Sequence, residues 1–143
     1  MTPRLSAAAA ALAAVATCAA LVAGCRPTTS SNTDLSKFKG DQRQAAQVVV
    51  DFQNAAKDGN DNSICRDLLA TALADRLAAR GNGCPAVVHE AIRNADSLDM
   101  TVQSVQVTGQ KATARVKLET GKKDRTTTLA LVREGARWRI AGL

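Results

Sequence analysis

Few side chains in this 143-residue chain could do covalent, redox or metal chemistry. They are four cysteines, Cys18, Cys25, Cys65 and Cys84, and a single histidine, His89. Hydrolytic catalysis needs a base beside a nucleophile, and one histidine leaves little choice of base. The chain contains no Tyr and only 2% aromatic residues, too few for the stacking platforms typical of nucleic-acid binding. The composition therefore argues against a hydrolase and against nucleic acid as a partner.

The first 25 residues have the layout of an export signal. Arg4 is the only charged residue before Arg26, and residues 5–23 form an uncharged run that contains eleven alanines. A positive start followed by an apolar run is typical of a secretory signal peptide. Alanine favours membrane insertion less than Leu, Ile, Phe or Val, so this run would be a weak permanent anchor. We therefore expect a cleaved signal and not a transmembrane helix.

The end of the run, Leu21-Val22-Ala23-Gly24-Cys25, resembles the lipobox of bacterial lipoprotein signal peptides, in which small residues precede an acylated cysteine. The resemblance implies that residues 1–24 are the signal peptide, that cleavage falls between Gly24 and Cys25, and that Cys25 carries diacylglycerol and palmitate-type chains. Acyl chains contribute about 0.8 kcal/mol per buried methylene, so two or three chains hold a protein durably on a membrane. We expect a lipid anchor at the extracytoplasmic face of the cell membrane. An ordinary secretory peptide cut nearby, with Cys25 free, is the alternative.

Two cysteines remain for pairing after these assignments. Export places the mature chain in an oxidising compartment, Cys18 leaves with the signal peptide, and Cys25 carries lipid, so only Cys65 and Cys84 can pair. Such a bridge closes a loop of about 20 residues and stabilises the fold by roughly 3 kcal/mol. A zinc site would find only His89 nearby, and a redox pair normally has Cys-x-x-Cys spacing. We therefore favour a structural disulfide, and we expect no metal and no cofactor.

The mature chain divides into a tether and one domain. Residues 26–36 are polar and cannot build a core, so we assign residues 25–39 to the lipidated cysteine and a flexible tether, with a reach on the order of 20 Å. Residues 40–143 then form the folded domain.

Helical periodicity fills the first half of this domain. Asp41 and Gln44 have the spacing of a capping box at the start of a helix that ends at Gly59. A second helical stretch begins after Ser63, with a break near residues 70 and 71, and a third begins at Pro85. These stretches predict three to four amphipathic helices.

From Met100 the apolar period changes to two. Residues 111–118 alternate apolar and polar side chains, as in a half-buried strand. The step from Val102 to Val105 suggests a bulge, and glycines at 109, 121 and 135 mark turns. Four antiparallel strands therefore follow the helices, which predicts an α+β domain with the helices packed on one face of a curved four-stranded sheet.

This order of elements, with Leu131–Ile140 as the final hairpin, resembles the NTF2-like superfamily of cone-shaped α+β domains. The segment Cys65-Arg66-Asp67-Leu68-Leu69 and the later Cys84 further resemble small exported actinobacterial lipoproteins of that superfamily. The resemblance covers about residues 40–143. Members include isomerases, dehydratases, polyketide cyclases and noncatalytic modules, and a shared fold does not select among them. Catalytic members place Asp, His or Tyr inside the cone, and we carry over no catalytic residue.

Positive charge is concentrated in the strand half. Residues 100–143 carry nine basic and three acidic side chains, net +6, whereas residues 25–99 carry nine and ten, net −1. The candidate basic face consists of Lys111, Arg115 and Lys117 on one strand and Arg137 and Arg139 on the last. Each basic side chain near an anionic membrane contributes about 1 kcal/mol, so this face could meet lipid headgroups or an acidic envelope protein. An ordinary solvated sheet face is the more common explanation of such a charge pattern.

Two further features have weaker functional interpretations. His89 is expected to face solvent without an orienting partner. Residues 58–62 look briefly like a calcium loop but lack its central glycine and final glutamate, which favours ordinary turn chemistry.

The sequence supports two hypotheses about function. The preferred one is a membrane-anchored, noncatalytic binding or interaction module of the cell envelope, not an enzyme. The alternative is a carrier of a small hydrophobic ligand, or an isomerase-like or dehydratase-like enzyme, that uses a pocket in the cone. The candidate pocket residues are Phe52, Val116, Leu118, Leu129 and Trp138.

Overall fold

Four helices precede a four-stranded sheet in the computed structural model, which describes residues 32–121 and 123–142. The predicted signal peptide, the cleavage site at Gly24 and Cys25, and the first part of the tether lie outside the described residues. The helices are α1 (Gly40–Lys57), α2 (Asp61–Ser63), α3 (Thr71–Ala78) and α4 (Cys84–Arg93). A 3-10 turn, Leu35–Lys37, precedes α1, and a π-helical segment, Ile64–Leu68, directly follows α2.

The sheet is an antiparallel meander, which confirms the predicted α+β fold. Its strands are β1 (Met100–Thr108), β2 (Lys111–Leu118), β3 (Arg125–Glu134) and β4 (Arg137–Gly142), paired in that order. Gly109 and Gly135 adopt positive φ angles in the β1–β2 and β3–β4 turns, a conformation that side chains with a Cβ disfavour. The register of β1 shifts between Val102 and Ser104, so the predicted bulge is present at Gln103.

Helix α1 covers one face of the sheet and contacts mainly β1 and β4. Its residues Ala45, Ala46 and Val49 are almost completely buried. Small side chains at these positions let a helix lie close to the strands, because little volume has to fit between them. The helix ends as predicted, with Gly59 in the left-handed conformation just beyond Asp58.

The predicted capping box at the start of α1 is wrong. The helix begins at Gly40, and the residue before it, Lys39, makes no side-chain cap. Asp41 therefore lies in the first turn, and its carboxylate binds Arg133 on β3 at 3.0 and 3.2 Å. A tertiary ion pair thus replaces the local cap.

The second helical stretch breaks where the chain pairs with the sheet. Leu69 forms an isolated parallel bridge with Ile140, and the amide of Ala70 donates to the carbonyl of Ile140 at 2.8 Å. This extended step next to β4 interrupts the helical hydrogen bonds and restarts them in α3. The break predicted near residues 70 and 71 is confirmed.

The described part of the expected tether is packed against the sheet. Thr33 is buried and its hydroxyl accepts a hydrogen bond from the amide of Val102 at 3.0 Å, while Phe38 belongs to the core. The sequence pattern did not reveal this because isolated polar residues bind the edge of β1 through hydrogen bonds and not through an apolar face. The fold therefore begins by Thr33 and not at residue 40.

A disulfide bond joins Cys65 to Cys84, as predicted. Cys65 lies in the π-helical segment and Cys84 is the first residue of α4, so the bond holds α4 against the segment that follows α2. The core around it consists mostly of Ala, Val, Leu and Ile side chains. Within the described ranges, none of the helices combines the length and the apolar character that a membrane crossing needs.

We predict that the double variant C65A/C84A loses about 3 kcal/mol of unfolding free energy, because the reduced unfolded chain regains the conformations that the loop excludes. Urea unfolding followed by circular dichroism measures the loss. Reduction of the unmodified protein should lower its stability by a similar amount. Unfolding midpoints that coincide with and without the bond would contradict this role.

Candidate functional site

None of the described helices packs against one face of the sheet, and we call this face the outer face. Alternate strand residues point away from α1, as both the burial pattern and the cross-strand register show. The outer face consists of Thr101, Ser104, Gln106, Thr108, Lys111, Thr113, Arg115, Lys117, Thr126, Thr128, Ala130, Val132, Glu134, Arg137 and Arg139.

Three basic side chains of this face are available to a partner. Lys111, Arg115 and Arg137 are exposed, and none of them has an ion-pair partner among the described residues. In the register, Arg115 lies opposite Ser104 on β1 and Thr128 on β3, so hydroxyl groups flank it on both sides. The surroundings of Arg115 are therefore polar and uncharged. Arg137 instead lies opposite Glu134 in the register, and its positive charge helps the hydrogen bond from Arg66 to lower the pKa of Asp67.

The other two residues of the predicted basic face are engaged within the protein. The Lys117 ammonium lies 2.8 Å from Asp124 and 3.8 Å from Glu119. Its hydrogen bond to Asp124, together with the charge of that carboxylate, raises the pKa of Lys117 above its usual value. The positive charge of Lys117, at one end of the outer face, is thus compensated by acidic residues of the β2–β3 turn.

Arg139 is a structural residue and not part of an open basic surface. One guanidinium nitrogen donates to the carbonyl oxygens of Arg66 at 2.7 Å and Leu69 at 3.2 Å, beside the edge of β4. Its Nε also lies 3.3 Å from Glu134 Oε2. Arg139 therefore satisfies carbonyls that the end of the π-helical segment leaves without helical partners.

Glu134 connects the same region to α3. Its two carboxylate oxygens accept hydrogen bonds from the amide and the hydroxyl of Thr71, both at 2.9 Å. Thr71 is the first residue of α3, and Ala70 before it makes no side-chain cap. A carboxylate from β3 thus serves as the N-terminal cap that the local sequence lacks, and the helix dipole favours its charge.

The five residues that we assigned to a pocket are core residues in the structure. Val116, Leu129 and Trp138 are buried within the main apolar cluster, and Phe52 and Leu118 pack against it partly exposed. Alanines in α1 bring that helix close to these side chains, so they contact one another. These residues therefore belong to the packed core, and their role as the lining of a pocket stays a prediction.

Trp138 has one polar feature that the apolar cluster does not satisfy. Its indole N–H is buried without a hydrogen-bond partner among the described residues, and so is the Nε–H of Arg133 opposite it on β3. The Arg133 guanidinium carbon lies 5.4 Å from the centre of the Trp138 ring, a cation–π contact, and Asp41 fixes the other guanidinium nitrogens. These two N–H groups form a small donor site beside the N-terminus of α1.

His89 has an orienting partner, contrary to our expectation. Its Nδ1 lies 2.9 Å from Asp61 Oδ2, and a shallow surface groove lies along His89, Glu90, Arg93 and Asn94. Asp61 belongs to the segment that resembled a calcium loop, in which Asn60 caps α2 by accepting a hydrogen bond from the amide of Ser63. The pair was missed because its members lie 28 residues apart and meet only where α2 packs against α4.

In the described chain, helices cover the inner face of an antiparallel sheet and leave the outer face uncovered, which is the α+β arrangement expected from the resemblance to NTF2-like domains. Residues 40–142 match a family model described as "Putative lumazine-binding". The match includes all four helices and all four strands, and the chain belongs to this family.

Among solved structures, the chain is similar to the "De novo designed NTF2 fold protein NT-9". The two are 16% identical, with a TM-score of 0.49, and the similarity covers 73% of this chain and 86% of the designed one. No curated protein matches the sequence.

Arg139 and Arg137 provide a matched test of which arginines support the fold. Arg139→Met should lower the unfolding free energy by about 1–3 kcal/mol, because two carbonyls lose their charged donor. Arg137→Met should change it by less than about 0.5 kcal/mol, since Arg137 is exposed. Chemical denaturation of both variants measures the difference. Equal losses would refute a special structural role for Arg139.

Proposed function

We propose that this protein is a membrane-anchored lipoprotein of the cell envelope whose domain acts as a noncatalytic binding module through the outer face. The observation that carries the proposal is the open outer face, on which Lys111, Arg115 and Arg137 are exposed and form no ion pair within the described chain. The helices occupy the opposite face. An anionic partner can therefore approach the sheet without any rearrangement of the core.

The anchor rests on the sequence before the described residues. A positive start, an apolar run and the lipobox-like Val22-Ala23-Gly24-Cys25 together favour cleavage and acylation at Cys25. The paired cysteines fit the same route, because a disulfide between Cys65 and Cys84 persists in an oxidising compartment. These features support an extracytoplasmic location.

A noncatalytic role is supported by the packing of the inner face. Val116, Leu129 and Trp138, which would line a reaction site in a cone, are in contact with other apolar side chains. Electrostatic attraction at a fixed polar face gives binding without the positioned acid, base and nucleophile that catalysis needs.

Surface labelling of the full chain in its native membranes tests this function. We compare A130C on the outer face with A91C on α4, two exposed alanines, one in the sheet and one in the helical layer. A membrane-impermeant maleimide should alkylate A130C at least about five-fold more slowly than A91C at low salt, because electrostatic contacts cover the outer face, and high salt should equalise the rates.

The same preparation yields the mass of the mature chain, which should begin at Cys25 and include a diacylglyceryl group. Detergent-solubilised protein is the control and should label equally at both positions. An unmodified Cys25 would refute the anchor, and equal labelling in native membranes would refute binding through the outer face.

Small-ligand binding at Trp138 is a second candidate function, and it need not exclude the first. The specific observation is the buried indole N–H without a partner, next to the unpaired Nε–H of Arg133. The family description names lumazine, a flat heteroaromatic molecule whose carbonyl oxygens accept hydrogen bonds. Such a ligand would satisfy both donors if the end of α1 moved aside.

Trp138 is the only tryptophan in the chain, so its fluorescence reports directly on this site. If the second candidate is correct, lumazine should quench the fluorescence saturably, and Arg133→Met should weaken binding about ten-fold through the loss of a charged donor. Free tryptophan amide, titrated in parallel, corrects for light absorption. Quenching identical to that of the free compound would eliminate this candidate.

A further inference from the structure

We propose that the outer face docks on the anionic headgroups of the membrane that holds the lipid anchor. The inference rests on the proposed function, since acylation of Cys25 is what brings the domain to that membrane. The inference adds the identity of the partner and a fixed orientation, in which the sheet lies against the lipid headgroups and the helices face away from the membrane.

The charge of the outer face favours an anionic partner. Its acidic residue, Glu134, is occupied by Thr71 and lies beside Arg139. The positive charge of Lys117, at the end of the outer face next to the β2–β3 turn, is compensated by Asp124 and Glu119. Lys111, Arg115 and Arg137 form no ion pair within the described chain, although Arg137 lies opposite Glu134. The exposed Thr and Ser side chains between them can donate hydrogen bonds to phosphate oxygens.

The outer face contains arginines but lacks the aromatic and Met side chains that anchor stable protein interfaces. Stable protein interfaces depend on buried aromatic, Met or Arg anchors in a core depleted of Lys. Among the residues of the outer face, Ala130 and Val132 are the only apolar ones, and none is aromatic. Headgroups require no apolar anchor, because charge and hydrogen bonds suffice at the surface of a bilayer.

The outer face has a small projected area, which suits a weak contact. Four strands spaced about 4.8 Å apart and about 26 Å long present roughly 500 Å², whereas a standard protein interface buries about 800 Å² on each partner. A contact of this size is weak by itself. A lipid anchor compensates by keeping the face at high effective concentration next to the headgroups.

The length of chain before the fold permits this orientation. Cys25 precedes Asn32 by seven residues, which span at most about 25 Å. Asn32 contacts Glu119, just beyond the end of β2, and Thr33 binds the edge of β1. Arg115 lies four residues from Glu119, or about 13 Å along the strand. The anchor can therefore enter the membrane while the sheet lies flat on it.

Purified, lipidated full-length protein in defined vesicles tests the docking. A130C should be alkylated about ten-fold more slowly in vesicles with about 30 mol% phosphatidylglycerol than in pure phosphatidylcholine, because only the former attract the outer face. A91C should react equally in both vesicles. Raising the ionic strength to about 0.5 M should abolish the protection of A130C.

Two charge-reversal variants separate the face from the net charge. K111E/R115E/R137E should lose the protection of A130C, whereas R43E/R80E/R93E, which changes the net charge equally through exposed residues of the helical half, should retain it. Equal rates for A130C in both vesicles, or equal loss of protection in the two variants, would overturn the docking. If A130C is protected in native membranes but not in anionic vesicles, the proposed function stands with a protein partner and the docking fails. A mature chain without lipid would instead overturn the proposed function.

Discussion

The packing of α1 on the inner face of the sheet is the contact on which the rest of the domain depends. Ala45 and Ala46 leave little volume between helix and strands, so the side chains of β2, β3 and β4 fill the interior. Burial of apolar area stabilises a fold by about 25 cal/mol per Å², and small side chains bury less of it than aromatic ones. This core therefore contributes less folding free energy per residue. The disulfide and the ion pairs at its edge then contribute a larger share of the stability of the domain.

Those connections converge on the segment between α2 and α3. The disulfide ties Cys65 to α4, Ala70 pairs with the edge of β4, and Arg139 binds the carbonyls that the π-helical segment leaves free. Glu134 then caps α3 from β3. Because these contacts engage charged side chains of the sheet, fewer basic side chains of the strand half are available to a partner than the composition indicates. The exposed charge of the domain thus comes from the charged side chains that are not engaged in these internal contacts.

Local sequence was informative wherever one periodic element decides the structure. Alternation in 111–118 predicts the strand and its two faces, and the step from Val102 to Val105 predicts the bulge. The failures have tertiary causes. Asp41 binds Arg133 instead of capping its own helix. Thr33 binds the edge of β1, and Asp61 contacts His89 on α4. A short-range pattern cannot contain such partners, which are distant along the chain.

The sequence by itself determined the order of helices and strands, the pairing of Cys65 with Cys84, and the concentration of basic residues in the strand half. Periodicity and residue count are sufficient for these, because each depends on neighbours along the chain or on elimination. Only the tertiary structure decided which arginines are exposed and whether the inner face is filled. Arg137 and Arg139 are two residues apart on one strand, yet one faces solvent and the other binds the backbone at Arg66 and Leu69. The difference arises because the end of the π-helical segment lies beside the edge of β4 and offers carbonyl acceptors to Arg139.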